Sequence, residues 1–68
     1  MFPNLNAEQA RYNDSNAFVA DFLGISRVSY ENKKKNGSFS IADANKLCDK
    51  YKCSYSYLFA EEPISPER

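Results

Sequence analysis

The sequence predicts an all-α domain of five short helices, and three observations predict it. Serine stands ahead of a helix-like segment four times, at Ser15, Ser26, Ser40 and Ser54, where its hydroxyl can accept from an otherwise orphaned peptide N–H. Helix-ending signals fall between these segments at Gly24 and at Asn36-Gly37. The clearest apolar stripe, Ile41, Ala44, Leu47, Cys48 and Tyr51, repeats at helical spacing within about one third of a helical wheel. At 68 residues the chain can build one core and no more, because a domain this size buries only about 60% of its unfolded surface. Short helices with small connections make a compact bundle of low contact order.

In chain order, Asn4 is expected to cap a first helix reaching about Asn13, with Leu5, Gln9 and Tyr12 on one partly apolar stripe. Asn13-Asp14-Ser15 then makes a turn, because these side chains bond nearby backbone. Ser15 caps a second helix running to Leu23, and Gly24 supplies the left-handed residue that ends it. Ile25 follows, and Ser26 caps a third helix from Arg27 to about Lys35. Ser40-Ile41-Ala42-Asp43 has the form of a capping box with a short acid, opening the amphipathic fourth helix whose polar side holds Lys46, Asp49 and Lys50. Ser54 caps a last helix carrying Tyr55, Leu58 and Phe59. Residues 1–60 make the domain, and 61–68, with Pro63, Pro66 and four charges, read as a flexible tail.

Composition narrows the function classes. Lys+Arg 9 balance Asp+Glu 9, yet the charges are segregated. Residues 24–52 hold seven basic side chains against three acidic ones, a net +4, and the remainder holds two against six, a net −4. A balanced chain with one basic half can present a phosphate-seeking face, although a solvated surface accounts for the same charges. Histidine is absent, the two glycines cannot form a phosphate-binding loop, and Glu61-Glu62 lies in the tail, so no catalytic step and no cofactor is expected. Cys48 and Cys53 are five apart and lack a histidine or third cysteine to complete a metal site, so they are expected as buried free thiols in a reducing cytoplasm. Neither Ala17-Phe18-Val19-Ala20 nor Tyr57-Leu58-Phe59-Ala60 approaches the length of a membrane span, and with no basic-then-apolar run in the first residues secretion is not expected.

The informative stretch is Asn16 to Lys35. Two helices crossing steeply over a short turn need a small residue at their closest approach, and Ala20 is that residue. Gly24 tolerates positive φ in the turn; Val19, Leu23, Ile25 and Tyr30 fill the wedge; Ser26 starts the next helix without an orphaned amide. All four requirements are met in one register. This segment resembles the DNA-binding helix-turn-helix of the phage-repressor family (Cro and repressor, or XRE). Leu23-Gly24-Ile25-Ser26-Arg27 is close to the family's usual turn, Leu47-Cys48 through Leu58-Phe59 looks like its last two helices, and the likeness spans residues 4–59.

The resemblance implies a lambda-repressor-like five-helix fold that lays its third helix in the major groove of double-stranded DNA. By position in the motif, Arg27, Val28, Ser29 and Asn32 would face base edges. Their chemistry agrees: arginine forks onto guanine, asparagine pairs with adenine, and valine meets a thymine methyl. Asn16, Ser26, Lys34, Lys35, Asn36 and Ser38 would meet phosphates. A domain this small reads few bases, so a homodimer on an operator is expected, with no small-molecule substrate.

Four positions depart from the family pattern. Asp14 stands where leucine is usual and loosens that corner; Phe18 and Phe22 replace polar residues; Lys33 replaces an apolar residue that locks the third helix down. The Lys33 stem can snorkel while Phe39 fills the remaining space. Phe18 and Phe22 are expected as core covered by the first or last helix, the other reading being a partner patch; Phe59 is expected as core and Tyr57 as exposed. The exposed-patch reading, with Lys33 and the neutral total charge, defines the alternative function: a protein-interaction module of antitoxin or anti-repressor type on the same fold.

Overall fold

The computed structural model describes residues 2–63. The described residues form α1 (Pro3–Arg11), α2 (Asn16–Leu23), α3 (Arg27–Asn36), α4 (Ile41–Tyr51) and α5 (Tyr55–Leu58), with no strand among them. None of these helices is long and apolar enough to cross a membrane.

Local chemistry sets the boundaries of α2 to α5. The hydroxyls of Ser15, Ser26, Ser40 and Ser54 each accept from the peptide N–H three residues on, at Phe18, Ser29, Asp43 and Tyr57. Gly24 ends α2 at φ 75°, with its N–H donating to Asp21 O and that of Ile25 donating to Ala20 O, both at 3.0 Å. This paired closure satisfies two carbonyls that the helix would otherwise leave open. α3 reaches Asn36, one residue beyond the expected Lys35, and Gly37 ends it in the same left-handed region. Lys52 ends α4 at φ 54° without being glycine.

α1 departs most from expectation. Asn4 is not its cap: the helix begins at Pro3, whose missing N–H costs nothing there, after Phe2 in left-handed backbone. The Asn4 side chain is buried and donates to the carbonyls of Tyr57 (2.9 Å) and Glu62 (3.0 Å), tying α1 to α5 and to the first residues of the expected tail. Residues 64–68 of that tail lie outside the described residues. The helix ends at Arg11, short of Asn13, which adopts φ 58°.

The core gathers Phe2, Leu5, Val19, Ala20, Leu23, Leu47 and Leu58 around three buried tyrosines, Tyr30, Tyr51 and Tyr57. Each phenol finds an acceptor on α1 or the turn after it. Tyr30 donates to Gln9 Oε1 (2.7 Å), Tyr51 to Asp14 Oδ2 (2.9 Å) and Tyr57 to Glu8 Oε2 (2.8 Å). A buried hydroxyl left without a partner costs roughly 1–3 kcal/mol, so these bonds fix where α1 sits as well as helping to hold it. Glu8, fully buried, also faces Arg11 Nε at 3.4 Å. The polar residues that weaken the apolar stripe of α1 are thus the receptors for the tyrosines. The radius of gyration, 10.8 Å, matches the roughly 11 Å of a collapsed chain of this length.

Several side chains differ from expectation. Tyr57 is buried, because α5 turns it toward Glu8, and Tyr55 is the exposed ring of that helix. Ile41 is 82% exposed: as the first residue of α4 it lies ahead of the stripe Ala44, Leu47 and Tyr51 that meets the core. Asp14 does not loosen its corner, since it accepts from Tyr51 and pairs with Lys50 Nζ at 3.4 Å. Lys50 is therefore not a solvated residue of the polar side. Phe59 and both cysteines are half-buried against the core, with Cys53 Sγ donating to Tyr51 O.

Among the described residues no helix buries Phe18 and Phe22, which remain 54% and 45% exposed. The Lys50 ammonium lies over both rings, 4.9 and 5.1 Å from their centroids, and over Tyr51. This cation–π contact, together with the Asp14 pair, clips α4 to α2.

Candidate nucleic-acid interface

α2 and α3 pack directly on one another across the Gly24-Ile25-Ser26 turn. Tyr30 is the buried residue of α3 and points the helix's inner side at the core. With about 100° of rotation per residue, the positions opposite Tyr30 are Val28, Asn32 and Lys35, flanked by Ser29 and Asn36. All five are exposed. Of the sequence-predicted base-facing set, Val28 and Asn32 thus share this outward face with Ser29 at its edge, while Arg27, exposed in the first turn, lies about 60° from Tyr30 and off that face; exposed Ser38 follows in the turn after α3.

The flank between α3 and α1–α2 holds a continuous polar network. Arg27 Nη1 donates to both carboxylate oxygens of Glu31, at 2.9 and 2.8 Å. Glu31 Oε2 also accepts from Asn16 Nδ2 at 3.1 Å. Asn16 Oδ1 in turn accepts from Gln9 Nε2 (2.8 Å) and Lys34 Nζ (3.0 Å), and Lys34 reaches Asn6 Oδ1 (2.7 Å) and Gln9 Oε1 (3.3 Å). The hydrogen bond from Asn16, then that from Arg27, holds the Glu31 carboxyl below its ordinary range. Burial pulls the Lys34 ammonium down, and the Glu31 charge opposes that.

These bonds divide the expected phosphate ligands. The side chains of Asn16 and Lys34 are committed inside the protein, where they lock α1, α2 and α3 together. Ser26 Oγ is likewise occupied as the cap of α3 and as a donor to Ser29 Oγ. Lys33 turns to the other flank and faces Asp43 at 3.8 Å, while Phe39 packs against the Tyr30 ring below it. Of the three consecutive lysines, Lys35 therefore stands apart, exposed beside Asn36 and Ser38.

Three residues of this site, Glu31, Gln9 and Asn6, were given no site role by the sequence reading. The four-residue spacing of Arg27 and Glu31 on a helix is a visible signal for the first. Nothing local marks Gln9, whose partners lie as far away as Lys34. Cys48 and Cys53 are joined by no disulfide, burial pushes the Cys48 thiol up, and no group of His, Cys, Asp or Glu among the described residues is arranged to hold a metal ion. Comparison of the chain with known protein families, with curated proteins and with solved structures finds no match.

Proposed function

We propose that the chain is a sequence-specific double-stranded-DNA-binding regulator of the phage-repressor type, seating α3 in the major groove as a helix-turn-helix. The observation that carries this reading is the outward face of α3, where Val28, Asn32 and Lys35 stand opposite buried Tyr30 with Ser29 at the edge, and exposed Arg27 projects from the first turn of the same helix. Arg27 with that face supplies a guanine-reading donor, an adenine-reading amide and a methyl-contacting side chain. Lys35, Asn36, Ser38 and the first peptide N–H groups of α2 and α3 meet phosphates, which set orientation and affinity. Asn16 and Lys34 serve from behind, through the network that holds the helices. Regulation follows from operator occupancy, with a homodimer on half-sites about one turn (~34 Å) apart.

Titration of single variants on a duplex selected by the protein tests the reading. Arg27→Ala and Asn32→Ala should each cost about 1–3 kcal/mol and relax the preference at one position. Lys35→Ala should weaken all duplexes alike and flatten the salt dependence. Unchanged affinity of Arg27→Ala for the selected site contradicts the base-reading assignment.

The exposure of Phe18 and Phe22 favours a second reading, a protein-interaction module on the same scaffold. The two readings separate cleanly, because Phe18→Ala with Phe22→Ala abolishes the activity of an interaction module and spares base reading by α3.

A further inference from the structure

The guanidinium of Arg27 has five N–H donors, and the structure uses only those of Nη1, both carboxylate oxygens of Glu31 being aimed at that nitrogen. The remaining edge, Nε–H beside Nη2–H, is a pair of parallel donors with the fork geometry that fits guanine O6 and N7. Glu31 is itself anchored from the far side by Asn16, which is held in turn by Gln9 of α1 and Lys34 of α3. The plane of the Arg27 side chain is therefore set by residues that lie behind the reading face.

We propose that Glu31 is a specificity-determining positioning residue, which selects the Nε/Nη2 edge of Arg27 for base recognition through the relay Gln9–Asn16–Glu31. The inference rests on the DNA-reading function proposed above and deepens it. Glu31 has two separable effects. Its negative charge lowers affinity for every duplex, because it stands beside a surface that meets phosphates. Its contact with Arg27 raises discrimination at one base pair, because a long side chain held in one geometry loses less freedom on pairing and is less able to fit the wrong base.

A double-mutant cycle tests this on a duplex selected by the wild-type protein and on variants carrying each other base pair at the Arg27 position. Glu31→Ala keeps α3 folded, since alanine favours the helix interior, and its thermal midpoint is the check on folding. The expected result is tighter binding to random duplex together with about a tenfold loss of preference at the Arg27 base pair. In the Arg27→Ala background, Glu31→Ala should still tighten binding to all duplexes and should leave base preference unmoved. If Glu31→Ala preserves the wild-type preference, or shifts it equally with and without Arg27, the positioning role is overturned while the DNA-binding function stands. If the wild-type protein selects no duplex at all, the function and this inference fall together.

Discussion

Gly24 and Lys52 adopt the same left-handed backbone, at φ 75° and 54°, although only one is glycine. A Cβ added at Gly24 would meet nothing within 4 Å, so Gly24→Ala isolates the backbone cost, about 1–2 kcal/mol. The thermal midpoint should fall by roughly 4–8 °C per kcal/mol in a domain of this size. Lys52→Gly relieves the same strain and is opposed by the larger entropy of glycine in the unfolded chain, leaving a net gain of about 0.5–1 kcal/mol. Thermal melts of the two variants should therefore move in opposite directions, and a shared direction contradicts the account. Residue-scale legibility follows the same divide. The left-handed demand at Gly24 shows in the sequence because glycine answers it, whereas Lys52 hides an identical demand. The outward residues of α3 were named from their place in the motif that the segment resembles, but the commitment of Lys34 and Asn16 was not legible, since their partners Asn6 and Gln9 belong to another helix.

At the scale of elements, α2 to α5 were legible because each is punctuated locally, by a serine at its start and, for α2 and α3, a glycine at its end. α1 was misread at both ends because distant partners decide it: Asn4 serves α5, and Glu8, Gln9 and the following Asp14 receive tyrosines from α5, α3 and α4. Those three bonds are not equivalent. Asp14 keeps Lys50 beside it and stays partly open to water when Tyr51 loses its hydroxyl, whereas Glu8 keeps Arg11 but is fully buried, so water cannot replace the lost bond. Tyr57→Phe should therefore cost about 1.5–3 kcal/mol and Tyr51→Phe about 1 kcal/mol, as read by chemical denaturation. The reverse order contradicts the assignment of α1 as an element held by its buried polar groups.

For the molecule as a whole, the tyrosine framework predicts how stability depends on pH. Burial, reinforced by neighbouring acids, pushes the phenols of Tyr30, Tyr51 and Tyr57 above their ordinary 10.0. The unfolded chain then loses these protons first, so their contribution is complete below pH 10 and drains away as pH rises beyond it. The thermal midpoint should decline from about pH 10 upward, and Tyr51→Phe should soften that decline. A midpoint that holds steady through roughly pH 11 contradicts the framework. On the acid side, the Glu31 carboxyl held below its ordinary range contributes stability present at neutral pH and lost as pH falls through its lowered value. Global charge also bears on the proposed function. The segregation of a net +4 into residues 24–52 was legible from composition, but Lys33, Lys34 and Lys50 are engaged internally and Arg27 is paired with Glu31, which leaves exposed Lys35 as the open cation of α3.

The central claim, that the outward face of α3 reads base sequence, is tested most directly by selection from a random duplex library with the enriched duplexes titrated at two salt concentrations. An enriched inverted-repeat site is expected, whose binding weakens with salt and whose enrichment at one base pair disappears in Arg27→Ala. Recovery of no preferred sequence, with weak and salt-insensitive binding, would contradict that claim.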